Sequence, residues 1–164
     1  MRLLLAIGLA LFAAPALAAG WGHYVNERFG VEADVPPGFS AGVPSENGDG
    51  QTFSTPTAQL AVFGSRIVDG DFESTVEQRM QWSRQDGWNI TYQATTPSWA
   101  SWSGKRGSRI FYARAIRMCG GELYGAFELE YASADLKAFE PMVERLVRSL
   151  REGGSGWECQ TGGR

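Results

Sequence analysis

The chain has 164 residues, 43% of them hydrophobic and 20% charged, with a formal net charge of −3. That size suits a single globular core, and the mild acidity provides no overall field toward nucleic acid or an anionic lipid surface, so neither is expected as a partner. One histidine and two cysteines leave too few nitrogen and sulfur ligands for a zinc site, which needs three or four.

Residues 1–18, MRLLLAIGLALFAAPALA, read as a secretory signal peptide: Arg2, an apolar run, then the small-x-small site Ala16-Leu17-Ala18. The run is shorter than the about 20 apolar residues of a membrane span, so no span is expected in the mature chain. Cleavage after Ala18 exposes Ala19 rather than a cysteine that would carry a lipid anchor. The expected location is periplasmic or secreted. The expected organisation is a signal peptide over 1–18, one domain over 19–151 and a Gly-rich tail over 152–164.

Residues 23–29 and 31–35 flank Gly30 and end at Pro36-Pro37, which predicts a first hairpin or bent strand pair. Strands over 51–54 and 59–68 follow the turn Asn47-Gly48-Asp49-Gly50. Asp71 is placed to cap a helix over 72–86 that Gly87 stops, with Phe72, Val76, Met80 and Ser83 on one narrow stripe. Residues 88–95 return to β character, Pro97 interrupts, and 99–103 give a short continuation.

The strongest signal is a hairpin of 109–119 and 122–131 around Gly120-Gly121, because a two-residue Gly-Gly loop supplies the positive φ angles of a tight turn. Counting outward sets Met118 against Leu123, Ile116 against Gly125, Arg114 against Phe127, Tyr112 against Leu129 and Ile110 against Tyr131. That face is apolar apart from Arg114, while Arg117, Tyr124, Glu128 and Glu130 define a second face expected to meet water. A final helix reaches about residue 151, its stripe of Leu136, Phe139, Val143, Leu146 and Leu150 covering the hairpin's apolar face. Pro141 predicts a break, either a short turn over 135–139 or a helix proper beginning near Glu140. The fold class is α+β, an antiparallel sheet covered by helices.

Export and an even cysteine count favour a disulfide between Cys119 and Cys159, tying the tail to the hairpin turn. His23 lies near the expected mature N-terminus, a poor place to hold the partner that a general base requires. No G-x-S-x-G elbow and no cofactor motif is present. Glu73, Glu77, Glu128 and Glu130 are the carboxylates available to a small hydrolase, the enzymatic alternative. Asn47 and Asp49 match part of a calcium loop, but Ser45 and Pro56 stand where its end ligands belong, so a plain turn explains them and no metal is expected. The stretch WASWSGKRG reads as an aromatic and basic loop, which makes Trp99, Trp102, Lys105 and Arg106 the candidate binding surface, joined by Arg114 on the hairpin.

Tyr24-Val25-Asn26-Glu27-Arg28-Phe29-Gly30, then Asp34-Val35-Pro36 and Phe39, resembles the opening of PsbP-like domains, and a terminal helix ending in Arg148-Ser149-Leu150 is also similar to that family. With Asn47-Gly48-Asp49-Gly50, the resemblance is nearest to uncharacterised exported bacterial proteins of this fold. It implies an antiparallel sheet between helices, used for binding or assembly. Photosynthetic members support the manganese-calcium cluster of oxygen evolution, and others bind a small GTPase in nuclear import, but no ligand residue of either group maps onto this chain. The expectation is a non-enzymatic binding or assembly module of the bacterial cell envelope. Its partner would be an envelope protein or a small ligand.

Overall fold

The computed structural model describes residues 20–153 and Cys159, so the signal-peptide reading and most of the tail lie outside the described residues. The elements in order are β1 (Gly22–Val25), β2 (Val31–Val35), β3 (Ser40–Ala41), β4 (Gly50–Ser54), β5 (Gln59–Arg66), α1 (Phe72–Gln85), β6 (Asn89–Thr95), β7 (Trp99–Arg106), β8 (Arg109–Met118), β9 (Leu123–Ala132), α2 (Leu136–Ser149) and β10 (Arg151–Glu152). Seven strands form an antiparallel sheet in the order β3-β4-β5-β9-β8-β7-β6, and β1-β2-β10 form a second, smaller sheet. The architecture is α+β, as expected. Among the described residues no helix is long and apolar enough to cross a membrane.

The β8–β9 register is the one counted from the Gly-Gly turn, from Met118 opposite Leu123 to Ile110 opposite Tyr131. The connection is longer than the expected two-residue loop: the strands end at Met118 and Leu123, residues 119–122 make the turn, and Cys119, Gly120 and Gly121 take positive φ of 49°, 66° and 106°, a region that glycine enters freely and Cys119 enters only as part of this turn. The apolar hairpin face belongs to one core, where Phe127 and Leu129 meet Val31 and Ala33 of the small sheet and Phe139, Leu146 and Leu150 of α2. Two glycines shape that contact. Gly64 and Gly125 oppose each other across β5 and β9, and an added Cβ would stand 2.4 Å from Phe29 and 2.5 Å from the Val31 side chain respectively. The small sheet therefore rests in a dent that only glycine leaves open.

The second hairpin face is not simply wet. Phe72, Val76 and Met80 of α1 pack on Ala113, Ala115, Tyr124 and Ala126, with Ala100 and Trp102 of β7, and the row of alanines lets the helix sit close. The two ends of this face stay open: Glu128 and Glu130 are half-buried at one, and Arg117 is exposed at the other. Asp71 caps α1 as predicted, accepting from the Ser74 N–H at 2.8 Å while the Ser74 hydroxyl accepts from the Asp71 N–H at 2.9 Å.

Three further expectations are corrected. Pro141 does not break α2, which runs unbroken from Leu136 to Ser149; Pro141 and Lys137, whose carbonyl it deprives of a partner, both lie on the exposed side of the helix. Residues 99–103 are the start of an eight-residue strand, β7, hydrogen-bonded on both edges, and not a stub followed by a loop. Glu152, placed in the tail by composition, pairs with Val31 as the last residue of β10.

A half-open sheet face as candidate binding groove

Helix α2 and the small sheet cover β5, β9 and part of β8, but they stop short of β6 and β7. The uncovered strip and the side of α2 enclose a groove of about 550 Å³. Strand alternation decides what faces it. On β7, Trp99, Ser101, Ser103 and Lys105 share the groove side, while Ala100, Trp102, Gly104 and Arg106 point toward α1. Cross-strand pairing then sets Ser103 beside Tyr112, and Ser101 beside Arg114.

Tyr92 joins this row through a β-bulge. Ile90 pairs with Gly104 and Tyr92 with Ser103, so Thr91 is the extra residue. In an unbroken ladder Tyr92 would oppose Trp102 and face α1; the bulge turns it into the groove. Across from it, Leu136 and Val143 of α2 supply an apolar wall, and Glu140 and Glu144 an acidic rim. Tyr92 is 49% and Leu136 40% exposed, unusually bare for large apolar groups that face each other. Tyr131 forms the floor, stacked on Phe139 with centroids 4.4 Å apart. Burial, with the nearby Glu140 carboxylate adding to it, raises the Tyr131 phenol above its ordinary value.

Arg114 stands one same-face position beyond Tyr112. Its guanidinium lies 4.0 Å over the Trp99 ring, and Nη1 donates to the Ser101 hydroxyl at 3.0 Å. Nε is buried without a hydrogen-bond partner. Burial pulls this guanidinium below its ordinary value, against an opposing influence from the Tyr112 and Tyr92 phenols. The guanidinium is thus held by stacking and a serine hydroxyl, without a carboxylate partner among the described residues.

Neither the sequence-family comparison nor the search of curated proteins returned a match. Solved structures do match. The Ran-binding protein Mog1p of Saccharomyces cerevisiae superposes with a TM-score of 0.59 at 10% identity, covering 82% of this chain and 96% of that one. Cyanobacterial PsbP (CyanoP) from Synechocystis sp. PCC 6803 superposes with a TM-score of 0.60 at 13% identity, covering 85% and 96%. This chain has the PsbP-like fold. Identity this low establishes shared architecture, and every functional residue has to be argued from this chain alone.

Within the PsbP-like fold the five candidate binding residues are divided by the sheet. Trp99, Lys105 and Arg114 lie on the groove side. Trp102 is 1% exposed in the core under α1, and Arg106 stacks over Trp88 at 4.2 Å while donating to the Asp86 carbonyl at 2.9 Å. Those two residues hold α1 and its exit loop to the sheet and offer no shared surface with Trp99. Sequence reasoning missed Tyr92, Tyr112, Leu136 and Val143, because the groove exists only where a bulge and a short helix leave a gap.

The remaining candidates have structural places. Cys119 and Cys159 form the disulfide, with Cα atoms 5.5 Å apart. Asn47 donates to the Asp49 carboxylate at 3.0 Å and accepts from the Asp49 N–H at 3.3 Å, and its carbonyl accepts from Arg28, so the calcium-like segment is a self-bonded turn. Glu128 is engaged by Arg79, Glu130 by Arg109 and Glu77 by Arg84, while Glu73 lies in the first turn of α1. His23 is not on a loose end: it sits in β1, its two ring nitrogens each 3.3 Å from a carboxylate, of Glu32 and of Asp34.

Proposed function

We propose that this protein is an exported, non-enzymatic binding module of the bacterial cell envelope, and that its ligand seats in the groove between α2 and the β6–β8 face. The observation that carries the reading is the pairing of a bare Tyr92 with a bare Leu136 across about 550 Å³ of largely apolar space. That volume lies in the range of roughly 300–1,000 Å³ common to small-ligand sites. The disulfide suits an oxidising compartment, and the sequence reading of residues 1–18 supports export. A binding role also agrees with a structural neighbour described as Ran-binding. The carboxylates of the hydrolase alternative are mostly held by arginines, and the calcium alternative has its oxygens turned onto its own loop.

Amide shifts in a ¹H–¹⁵N spectrum, titrated with the neutral apolar probe 1-naphthalenemethanol, test the groove. The expected shifts fall on Tyr92, Ser103, Tyr112, Leu136 and Val143. Shifts confined to the α1 side around Trp82, or scattered over the surface, overturn the reading.

A further inference from the structure

We propose that the groove recognises a small organic carboxylate, whose anionic group is bound by Arg114 and whose apolar body lies along Tyr112 and Tyr92. The inference rests on the groove reading and assigns its ligand class. Two other partly buried arginines of the large sheet's surroundings, Arg79 and Arg109, each meet a glutamate. Arg114 meets a serine hydroxyl and an aromatic face, and leaves a buried Nε unpartnered. Native structures leave few buried donors unmade, and a guanidinium carries five N–H groups in a planar fork suited to a carboxylate. Stacking on Trp99 fixes the plane of that fork before any ligand arrives. The cationic end is therefore preorganised and short of acceptors.

Charge selects the ligand further. The Arg114 guanidinium adjoins the groove one same-face position beyond Tyr112, Lys105 lies at the other end of the strand row, and Glu140 and Glu144 on the opposite rim repel a carboxylate seated against α2. The same rim orients a monoanion with its carboxylate away from α2. The lining between the two ends, Tyr112, Tyr92 and Ile110, suits an aromatic or aliphatic body.

The test compares 1-naphthoate with neutral 1-naphthalenemethanol by calorimetry on the oxidised protein. Naphthoate is expected to bind about tenfold more tightly, as charge-assisted hydrogen bonds imply, and to shift the Trp99 and Ser101 amides that the alcohol leaves in place. Arg114→Gln should erase the difference between the probes. Arg114→Lys, which keeps the charge and loses the fork, should erase most of it. Equal affinities of the two probes for the unaltered protein, or an unchanged naphthoate affinity in Arg114→Gln, overturn the assignment to Arg114 while the alcohol's binding leaves the groove standing. Binding of neither probe in the groove overturns both. The wild-type comparison needs no variant to fold.

Discussion

Asn26 is a small polar side chain with a large structural role. It is 3% exposed, yet its amide donates to the Gly48 carbonyl at 3.0 Å and to the Tyr24 hydroxyl at 3.1 Å, and its oxygen accepts from the Phe29 N–H at 2.7 Å. It joins the first hairpin to the Asn47–Asp49 turn and places Phe29 over Gly64. Replacement by alanine would strand the buried Phe29 N–H, so Asn26→Ala is expected to lower unfolding free energy by about 1–3 kcal/mol in urea titrations. Gly125→Ala, which drives a methyl group into Val31, should cost about 1–3 kcal/mol in the same assay. Trp99 and Trp102 separate more sharply. Trp102→Ala empties a core position and should cost about 3–5 kcal/mol, whereas Trp99→Ala should leave stability nearer to wild type and act on naphthoate binding. A sequence displays both tryptophans in one five-residue window; only the strand's alternation tells which is core.

At the scale of elements, α2 is fastened to the small sheet through Asp34. Its N–H donates to the Ser149 hydroxyl at 3.0 Å, and its carboxylate accepts from Arg145 Nε at 2.8 Å and lies 3.3 Å from His23. Burial pushes this carboxyl upward, but the hydrogen bonds from Arg145 and His23 outweigh it and hold it below its ordinary value. A carboxyl lower in the folded than in the unfolded chain adds stability above its unfolded value of about 3.9 and loses it as pH falls through the folded one. The stability gap between wild type and Asp34→Asn should therefore be widest near neutral pH and narrow on acidification below about pH 4. A gap independent of pH would contradict the pairing. In α2 itself, Pro141→Ala restores one main-chain hydrogen bond and should raise the melting temperature, the gain in the helix exceeding the lost rigidity of the unfolded chain. The hairpin register, the Asp71 cap and the α2 stripe were legible because each follows from local periodicity or turn chemistry. The uninterrupted α2 was not, since tertiary packing of Phe139 and Leu146 overrides the local penalty of one proline on the exposed side.

For the whole molecule, two unequal covers on opposite faces of one sheet explain both the stable part and the open part. Helix α1 covers the β7–β8 side of one face. Helix α2 and the small sheet cover the β5–β9 side of the other, and the groove is the remainder. Strand and helix patterning carried the α+β class, and the resemblance at Tyr24–Gly30, Asp34–Pro36 and Arg148–Leu150 carried the PsbP-like architecture, but a gap between elements has no sequence pattern of its own, so the groove residues surfaced only with the register. The disulfide joins the β8–β9 turn to the segment after β10, and Glu152 accepts from the Cys119 N–H at 3.2 Å beside it. Cys159→Ser should reduce stability by up to about 4 kcal/mol, the chain-entropy value for a closed loop of this length. The proposed carboxylate site at Arg114 is open to direct observation. In a crystal structure of the oxidised protein with 1-naphthoate, the carboxylate is expected within hydrogen-bond distance of the Arg114 guanidinium and the rings against Tyr112 and Tyr92, whereas a naphthoate seated elsewhere, or in the groove with its carboxylate turned away from Arg114, would contradict the proposal.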